Sequence, residues 1–166
     1  INTPADFILA DVKSMTTSYL GTMFLMKDGT VRSVTNSTTY PSGHPATGDF
    51  TKVVDTAGNA LTGITDLELS AGSSFKTAAF AYSASTGKFY TWGTTTYLGN
   101  GSASASRTQA TEMANPLPAG VSVVQIGASY GTYFVLGSDG KVYVCGLNAS
   151  GSAGQGNTTA LTSWTT

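Results

Sequence analysis

The chain has 166 residues, enough for one modest domain or for a piece of a larger one. Hydrophobic residues make up 40% of it and charged residues only 10%, against about 25% in ordinary soluble domains. A packed core is expected and disorder is not, because disordered chains combine low hydrophobicity with high net charge. The net charge of −1 is spread over single residues, which argues against binding of nucleic acid, and no apolar run is long enough to cross a membrane.

In chain order, residues 7–12 (Phe-Ile-Leu-Ala-Asp-Val) predict a strand that leads into a first unit of structure. Residues 36–60 are rich in Thr, Ser, Gly and Pro, and predict a long loop that a short strand at 50–54 interrupts. Residues 64–69 then begin the strands of a second unit. No stretch shows the 3.6-residue periodicity of an amphipathic helix, so the chain is predicted to be all-β.

One turn signal recurs along the chain. Asp139-Gly140 stands between two alternating apolar runs, which is the strongest short-range indication of a β-hairpin. A shift of 111 residues places Asp28-Gly29 on this pair without a gap, and a third copy with a longer hairpin is centred on Gly87. The turn glycines are 58 and 53 residues apart, and recurrence at a near-constant period indicates a repeat architecture.

The repeats resemble those of the regulator-of-chromosome-condensation family, which builds β-propellers from four-stranded blades. The positions that match the family pattern, and that form its repeat signature here, are Gly29, Gly87, Trp92, Gly93, Asp139, Gly140, Gly146, Gly154 and Gly156. Two departures stand in the third unit, where Cys145 replaces the family's tryptophan and Thr132 its histidine. The resemblance implies antiparallel blades of a propeller, in which Tyr90, Trp92 and Tyr143 pack between neighbouring blades.

The resemblance also implies how the units divide the chain. About three repeat units are expected, roughly at residues 12–66, 67–120 and 121–166, and together they make one partial propeller domain. Three blades are fewer than the four to eight that close a ring, so the ring is predicted to be incomplete. Because residues 163–166 stand where the next repeat would begin, we expect the chain to be part of a larger one. The alternative is an open arc that a homo-oligomeric assembly or other partners complete.

The sequence predicts no catalytic, cofactor or metal site. It contains no short motif of a known metal, nucleotide or hydrolase site, and we expect no enzyme activity, cofactor or metal. Asp28 and Asp139 lie in hairpin turns, where aspartate is favoured for hydrogen bonds to nearby backbone. Cys145 falls at a strand position that faces inward, and the only histidine, His44, is about a hundred residues away. A buried structural cysteine is therefore the preferred interpretation.

What remains is binding. Tyr40, His44 and Tyr97 lie in predicted loops, and loops on a rigid scaffold usually carry recognition, so we expect these residues to contact a partner protein or glycan. The charge-poor composition, rich in Thr, Ser, Gly and Ala, is typical of virion fibres and secreted adhesins. The main hypothesis is a non-enzymatic binding or structural module of a virion component, such as a phage tail fibre, receptor-binding or decoration protein. It would contact host-surface glycan or other virion proteins.

Two other hypotheses stay open. One is a secreted bacterial propeller that inhibits a bound protein or acts as an adhesin. The other follows from the family resemblance and is guanine-nucleotide exchange or chromatin binding. Exchange needs a wedge that protrudes between strands and chromatin binding needs a basic surface, and the sequence shows neither. The expected location is therefore a virion or the extracellular space.

Overall fold

The computed structural model describes residues 3–18, 21–35, 50–71, 77–93, 99 and 107–166. Within these ranges the chain forms one short 3-10 turn, Leu9–Asp11, and twelve strands. The strands are β1 (Val12–Ser18), β2 (Gly21–Met26), β3 (Val31–Thr35), β4 (Thr51–Lys52), β5 (Asp66–Ala71), β6 (Thr77–Ser83), β7 (Lys88–Gly93), β8 (Arg107–Met113), β9 (Val123–Ser129), β10 (Thr132–Gly137), β11 (Val142–Gly146) and β12 (Leu161–Thr165).

The strands pair in chain order into three four-stranded antiparallel sheets. Sheet 1 contains β1–β4, sheet 2 contains β5–β8 and sheet 3 contains β9–β12. Each sheet is an up-and-down arrangement of consecutive strands, which is the form of a propeller blade. The predicted all-β fold with antiparallel four-stranded units is confirmed.

The hairpin turns found in the sequence hold equivalent places in the three sheets. Gly29, Gly87 and Gly140 each lie between the second and third strands, at φ of 79°, 68° and 78°, a conformation that favours glycine. The carboxylates of Asp28 and Asp139 each accept a backbone N–H bond from the residue two positions on, at 2.8 and 3.2 Å. Their role is therefore local, as the sequence predicts. We call this end of each sheet the hairpin end and the opposite end the loop end.

Sheet 2 is covered on both faces, because successive side chains of a strand point to opposite sides. On β6, Ala79 belongs to a buried cluster shared with sheet 1, whereas Phe80 belongs to a second cluster shared with sheet 3. Trp92 is fully buried in the first cluster with Tyr90 packed beside it, and Tyr143 lies in the second. The three sheets therefore depend on one another for a core.

The outer face of sheet 1 is covered by the N-terminal segment, residues 3–11. The ring of Phe7 lies 5.4 Å from that of Phe24 and 4.1 Å from that of Phe50. These contacts carry the backbone across the face of the sheet rather than along its edge. The prediction of a strand at residues 7–12 is therefore wrong, and β1 begins only where this segment ends.

Asp6 ties the same segment to two cations of sheet 1. Its Oδ2 lies 2.5 Å from Arg32 Nη2 and 3.2 Å from Lys52 Nζ. The hydrogen bond from Arg32, followed by that from Lys52, holds the pKa of Asp6 below its ordinary value. Because Arg32 is only 6% exposed, this carboxylate supplies the countercharge for a buried guanidinium.

The last strand corrects a second expectation. Residues 163–166 do not begin another repeat, since Leu161–Thr165 pairs with β11 as the fourth strand of sheet 3. Its Trp164 reaches back to sheet 2, where the indole N–H donates to the Ala114 carbonyl at 2.9 Å and the ring lies 6.2 Å from that of Phe80. These contacts with sheet 2 hold the strand in place.

The strand expected at residues 50–54 is present but shorter. Thr51–Lys52 pairs with β3 in the ladder of sheet 1, and the Val53 N–H also donates to the Val31 carbonyl at 2.9 Å. At Val54 the chain turns to sheet 2, where the Val54 carbonyl accepts the N–H of Ala110 at 2.8 Å. The bond to the neighbouring sheet ends the strand and links the two sheets.

Candidate binding surface

The first two strands of sheet 3 are joined at the loop end by a two-residue turn, Tyr130-Gly131. Both residues are in the left-handed region, with φ of 50° and 79°. A turn of this type favours Asn-Gly, and a residue with a bulky side chain costs about 1–2 kcal/mol in this conformation. Among the residues that the structure describes, Tyr130 is the only one other than glycine at positive φ, and it is 44% exposed.

Hydrogen bonds from two neighbouring parts of the chain fix this turn. The buried hydroxyl of Ser70 in sheet 2 accepts the N–H of Gly131 at 2.5 Å, and the Gly131 carbonyl accepts the N–H of Leu147 at 2.9 Å. The hydroxyl of Thr132 donates to the Leu147 carbonyl. A Cβ at Gly146 would stand 2.1 Å from the Gly131 oxygen, so glycine is required there. The turn is thus held from sheet 2 on one side and from the β11–β12 loop on the other.

The loop between β11 and β12, residues 147–160, is organised by one buried amide. Asn148 donates from Nδ2 to the carbonyls of Asn157 and Thr159 at 2.9 and 3.1 Å, and its Oδ1 accepts the N–H of Ala153 at 2.8 Å. The loop glycines at left-handed φ are Gly151, Gly154 and Gly156. The loop therefore has a defined shape although it contains no strand.

The Tyr130 turn and this loop lie side by side. We call residues 129–132 and 146–160 together the loop-end surface of sheet 3. It carries hydroxyl and amide groups and not one charged side chain. Ser129, Ser150 and Thr158 are exposed residues of this surface. This arrangement can pack an aromatic ring and hydrogen bonds against a neutral partner.

The contact residues predicted from the sequence, Tyr40, His44 and Tyr97, lie outside the described residues. In sequence the first two fall between β3 and β4, and Tyr97 falls between β7 and β8. Sequence analysis missed Tyr130, because Tyr-Gly is not one of the residue pairs that indicate a two-residue turn. The signal is limited to the glycine that stands between two apolar runs.

Cys145 and Gly93, which belong to the repeat, have structural roles. Cys145 is fully buried, and burial raises the pKa of its thiol to about 12, so the sulfur stays protonated. Gly93 has φ of 143°, and a Cβ there would stand 2.4 Å from the Cα of Ala78. The glycine therefore permits the close approach of β6 and β7.

The described residues offer neither a metal site nor a membrane-spanning helix. No group of three or more His, Cys, Asp or Glu residues in the described ranges could hold a metal ion. In the same part of the chain, no helix is long and apolar enough to cross a membrane.

Comparison with known protein families identifies the repeat. Residues 123–152 match the family described as Regulator of chromosome condensation (RCC1) repeat. The match spans β9, β10 and β11 and enters the loop that Asn148 organises. The chain carries an RCC1 repeat. The resemblance seen in the sequence is thereby confirmed.

Solved structures show the same arrangement of sheets. Human WBSCR16 is similar with a TM-score of 0.73 at 14% identity, over 93% of this chain and 39% of that one. Prp20p from Saccharomyces cerevisiae has a TM-score of 0.66 at 19% identity, over 86% of this chain and 32% of that one. Yeast RCC1 (Prp20) bound to Kap60 has a TM-score of 0.60 at 19% identity, over 82% of this chain and 30% of that one.

At these identities the likeness shows the fold alone. The chain spans 30–39% of the length of these proteins and corresponds to part of an RCC1-type propeller. No curated protein matches the sequence.

Proposed function

We propose that this chain is a non-enzymatic binding module of the RCC1 type that presents the loop-end surface of sheet 3 to a partner protein. One observation carries the proposal: Tyr130 is exposed in a backbone conformation that favours asparagine or glycine. Strained residues persist where the surrounding structure fixes them, and they cluster at ligand-contact sites. The hydrogen bonds from Gly131 to Ser70 and from Leu147 to Gly131 supply that fixation.

A protein partner fits the chemistry of this surface. Tyrosine offers a large, rigid contact area at a small cost in conformational entropy, and it is enriched at interaction hot spots. The surrounding hydroxyl and amide groups give hydrogen bonds without the desolvation of a charge, so binding is expected to depend weakly on salt. Yeast RCC1 (Prp20), which shares the fold, binds the protein Kap60.

We further propose that the module acts on a virion or outside the cell. The support is compositional: only 10% of the residues are charged, and the loop-end surface of sheet 3 has no charge at all. On this proposal the partner is a host-surface protein or another virion protein. A secreted adhesin or inhibitor would use the same surface, and the module would then belong to a secreted protein instead of a virion protein.

The test compares three forms of the chain. Tyr130→Asn keeps the turn and removes the ring, and Ala84→Asn is a control at an exposed position of the hairpin end of sheet 2. Each form is labelled with a fluorophore and added to intact bacterial cells, and the bound label is measured by flow cytometry. Loss of an aromatic hot spot is expected to weaken binding about tenfold or more. The control should bind like the wild-type chain.

Two results would contradict the proposal. Equal binding by Tyr130→Asn and the wild-type chain would show that the loop-end surface is not the contact. Absence of binding by the wild-type chain would show that the bacterial surface is not its target. Pretreatment of the cells with protease is expected to abolish binding. If periodate oxidation abolishes it and protease does not, the partner is a glycan.

Guanine-nucleotide exchange is the second candidate, favoured by the similarity to yeast Prp20p, whose structure is described together with its binding to Gsp1p and histones. It is tested by the release of fluorescent GDP from purified Gsp1p. Faster release in the presence of the chain would support exchange. An unchanged rate, together with binding of the wild-type chain to cells, would leave the first proposal standing.

A further inference from the structure

A cavity of about 420 Å³ lies at the hairpin end of sheet 1, between the sheet and the N-terminal segment. The segment contributes the carboxylates of Asp6 and Asp11 to its lining. The end of β2, the turn and β3 supply the rest of the lining, which is Met26, Lys27, Asp28, Thr30 and Arg32. The volume falls within the range of about 300–1,000 Å³ that is usual for small-molecule sites.

The turn aspartate of sheet 1 is available where that of sheet 3 is not. The shift of 111 residues that places Asp28 on Asp139 also places Arg32 on Tyr143. In sheet 3 the Tyr143 hydroxyl donates to Oδ2 of Asp139 at 2.8 Å. In sheet 1 the arginine instead bonds Asp6 of the N-terminal segment, at 2.5 Å. Oδ2 of Asp28 therefore accepts no hydrogen bond from the described residues.

Three carboxylates in the lining keep oxygens that accept no hydrogen bond from the described residues. Oδ1 of Asp28 accepts the hydroxyl and the N–H of Thr30 at 2.7 and 2.8 Å, and these bonds lower the pKa of the carboxyl. The carboxylate of Asp6 is engaged through Oδ2, and that of Asp11 makes no bond or ion pair within the described ranges. Ionised carboxylates only accept hydrogen bonds, so this part of the lining binds donors.

Two cations in the lining supply donors. Nζ of Lys27 donates to the Ala10 carbonyl at 2.6 Å, which leaves two of the three N–H groups of the ammonium. Arg32 is only 6% exposed, and its Nε–H has no acceptor in the part of the chain that the structure describes. Buried donors without a partner are rare in native proteins and often mark a functional position. The cavity thus combines unused acceptors with unused donors.

The charges of both signs decide the class of ligand. An anion would meet three carboxylates and a cation would meet Lys27 and Arg32, and like charges in contact are costly. A sugar hydroxyl can donate to a carboxylate and accept from an ammonium at the same time. We propose that the cavity binds one ring of a neutral saccharide, with Asp11 and Asp28 as acceptors and Lys27 as a donor.

The site is accessible and held in place. Its donor and acceptor residues Asp11, Lys27 and Asp28 are exposed and lie at the hairpin end of sheet 1. The Lys27 N–H donates to the Asp11 carbonyl at 2.8 Å, which fixes the N-terminal segment beside the turn. Propeller sheets stack through their faces, so further sheets of a longer chain leave the hairpin end open.

The test measures the binding of free sugars to the chain by saturation-transfer NMR at millimolar sugar concentrations. The neutral probes are glucose, galactose, mannose and N-acetylglucosamine. Glucosamine and glucuronic acid are the cationic and anionic comparators. At least one neutral sugar is expected to bind saturably, and more tightly than either charged sugar.

Two variants locate the site. Asp28→Asn keeps Oδ1 for Thr30 and replaces the free Oδ2 with an amide donor, so it is expected to raise the dissociation constant of the bound sugar about tenfold or more. Asp139→Asn makes the same change at the equivalent turn of sheet 3 and should bind the sugar like the wild-type chain. Circular dichroism checks that both variants are folded.

The proposal is overturned if none of the four neutral sugars binds, or if Asp28→Asn binds the sugar as well as Asp139→Asn does. Tighter binding of glucosamine or glucuronic acid than of every neutral sugar would also overturn it, because the ligand would then be charged.

This inference is independent of the proposed binding function. Tyr130 lies at the loop end of sheet 3, so Tyr130→Asn is expected to bind the sugar like the wild-type chain. Because the sugar test uses no cells and no partner protein, failure of either proposal leaves the other standing.

Discussion

The carboxylate of Asp6 lies 2.5 Å from the guanidinium of Arg32 and joins the N-terminal segment to the outer face of sheet 1. Arg32 is buried and Asp6 is more than half exposed, so the ion pair lies at the protein surface and only the guanidinium is removed from water. The aromatic contacts of Phe7 lie beside it. The segment is therefore held by an apolar and an ionic contact, and acid weakens only the second.

Acid is expected to destabilise the chain in part through this pair. The hydrogen bond from Arg32 lowers the pKa of Asp6, so ionisation favours the folded state. This contribution is fully present above the pKa of the unfolded carboxyl, about 3.9, and is lost as the pH falls through the lower folded value. Asp6→Asn should have a lower urea midpoint than the wild-type chain at pH 7, and the difference should shrink at about pH 2. Asp11→Asn, in the same segment, is the control and should have a urea midpoint close to that of the wild-type chain at pH 7.

The bond between sheets 2 and 3 at Ser70 gives a second prediction. Ser70→Ala would leave the buried N–H of Gly131 without its acceptor, and an unsatisfied buried donor costs about 1–3 kcal/mol. Urea denaturation should show a loss of stability in that range. Ser138→Ala removes an exposed acceptor of the Ser122 N–H and should cost less, about 0.5 kcal/mol or below. Equal losses in the two variants would contradict the role assigned to Ser70.

The buried amide of Asn148 gives a third prediction. Asn148→Ala removes three hydrogen bonds of the β11–β12 loop, and a loss of roughly 2 kcal/mol or more is expected. Limited proteolysis should then cut within residues 149–159, where the wild-type loop is expected to resist. Ser150→Ala, at an exposed position of the same loop, is the control and should keep the loop resistant. A resistant Asn148→Ala loop would show that the backbone turns alone define it.

The strained turn gives a fourth prediction, in which stability rises. Tyr130→Asn places a residue that tolerates left-handed φ in the turn, and a gain of about 1 kcal/mol in the free energy of unfolding is expected. Tyr130→Ala lacks the short polar side chain that lets asparagine tolerate this conformation, so the strain remains and no such gain is expected. Thermal denaturation of the three proteins measures both effects. A less stable Tyr130→Asn would mean that the ring contributes more to folding than the backbone strain removes.

The features that could be predicted from the sequence are local ones. Asp28-Gly29 and Asp139-Gly140 define their turns by the chemistry of two adjacent residues, and recurrence along the chain makes the signal stronger. The alternation of apolar and polar residues along a strand is likewise a pattern of neighbouring residues. For this reason the fold class and the repeat were predictable with no structure at hand.

The features that were missed depend on residues far apart in the chain. Phe7 leaves the predicted strand because Phe50, more than forty residues later, completes an aromatic contact. Gly131 finds its acceptor on Ser70, 61 residues earlier, and no local pattern indicates that pair. The turn at Tyr130 carries a residue that such turns disfavour, so the usual Asn-Gly signal is missing. The candidate surface could therefore be located only in three dimensions.

The chain contains two tryptophans, and each reports on a different seam between sheets. Trp92 is buried between sheets 1 and 2, whereas Trp164 lies over Phe80 and Phe89 where sheets 2 and 3 meet. A variant that keeps only one of the two tryptophans consequently has a fluorescence that reports on one interface between sheets. Comparing the two single-indole proteins during unfolding would show whether the seams part together or in sequence, without an added dye.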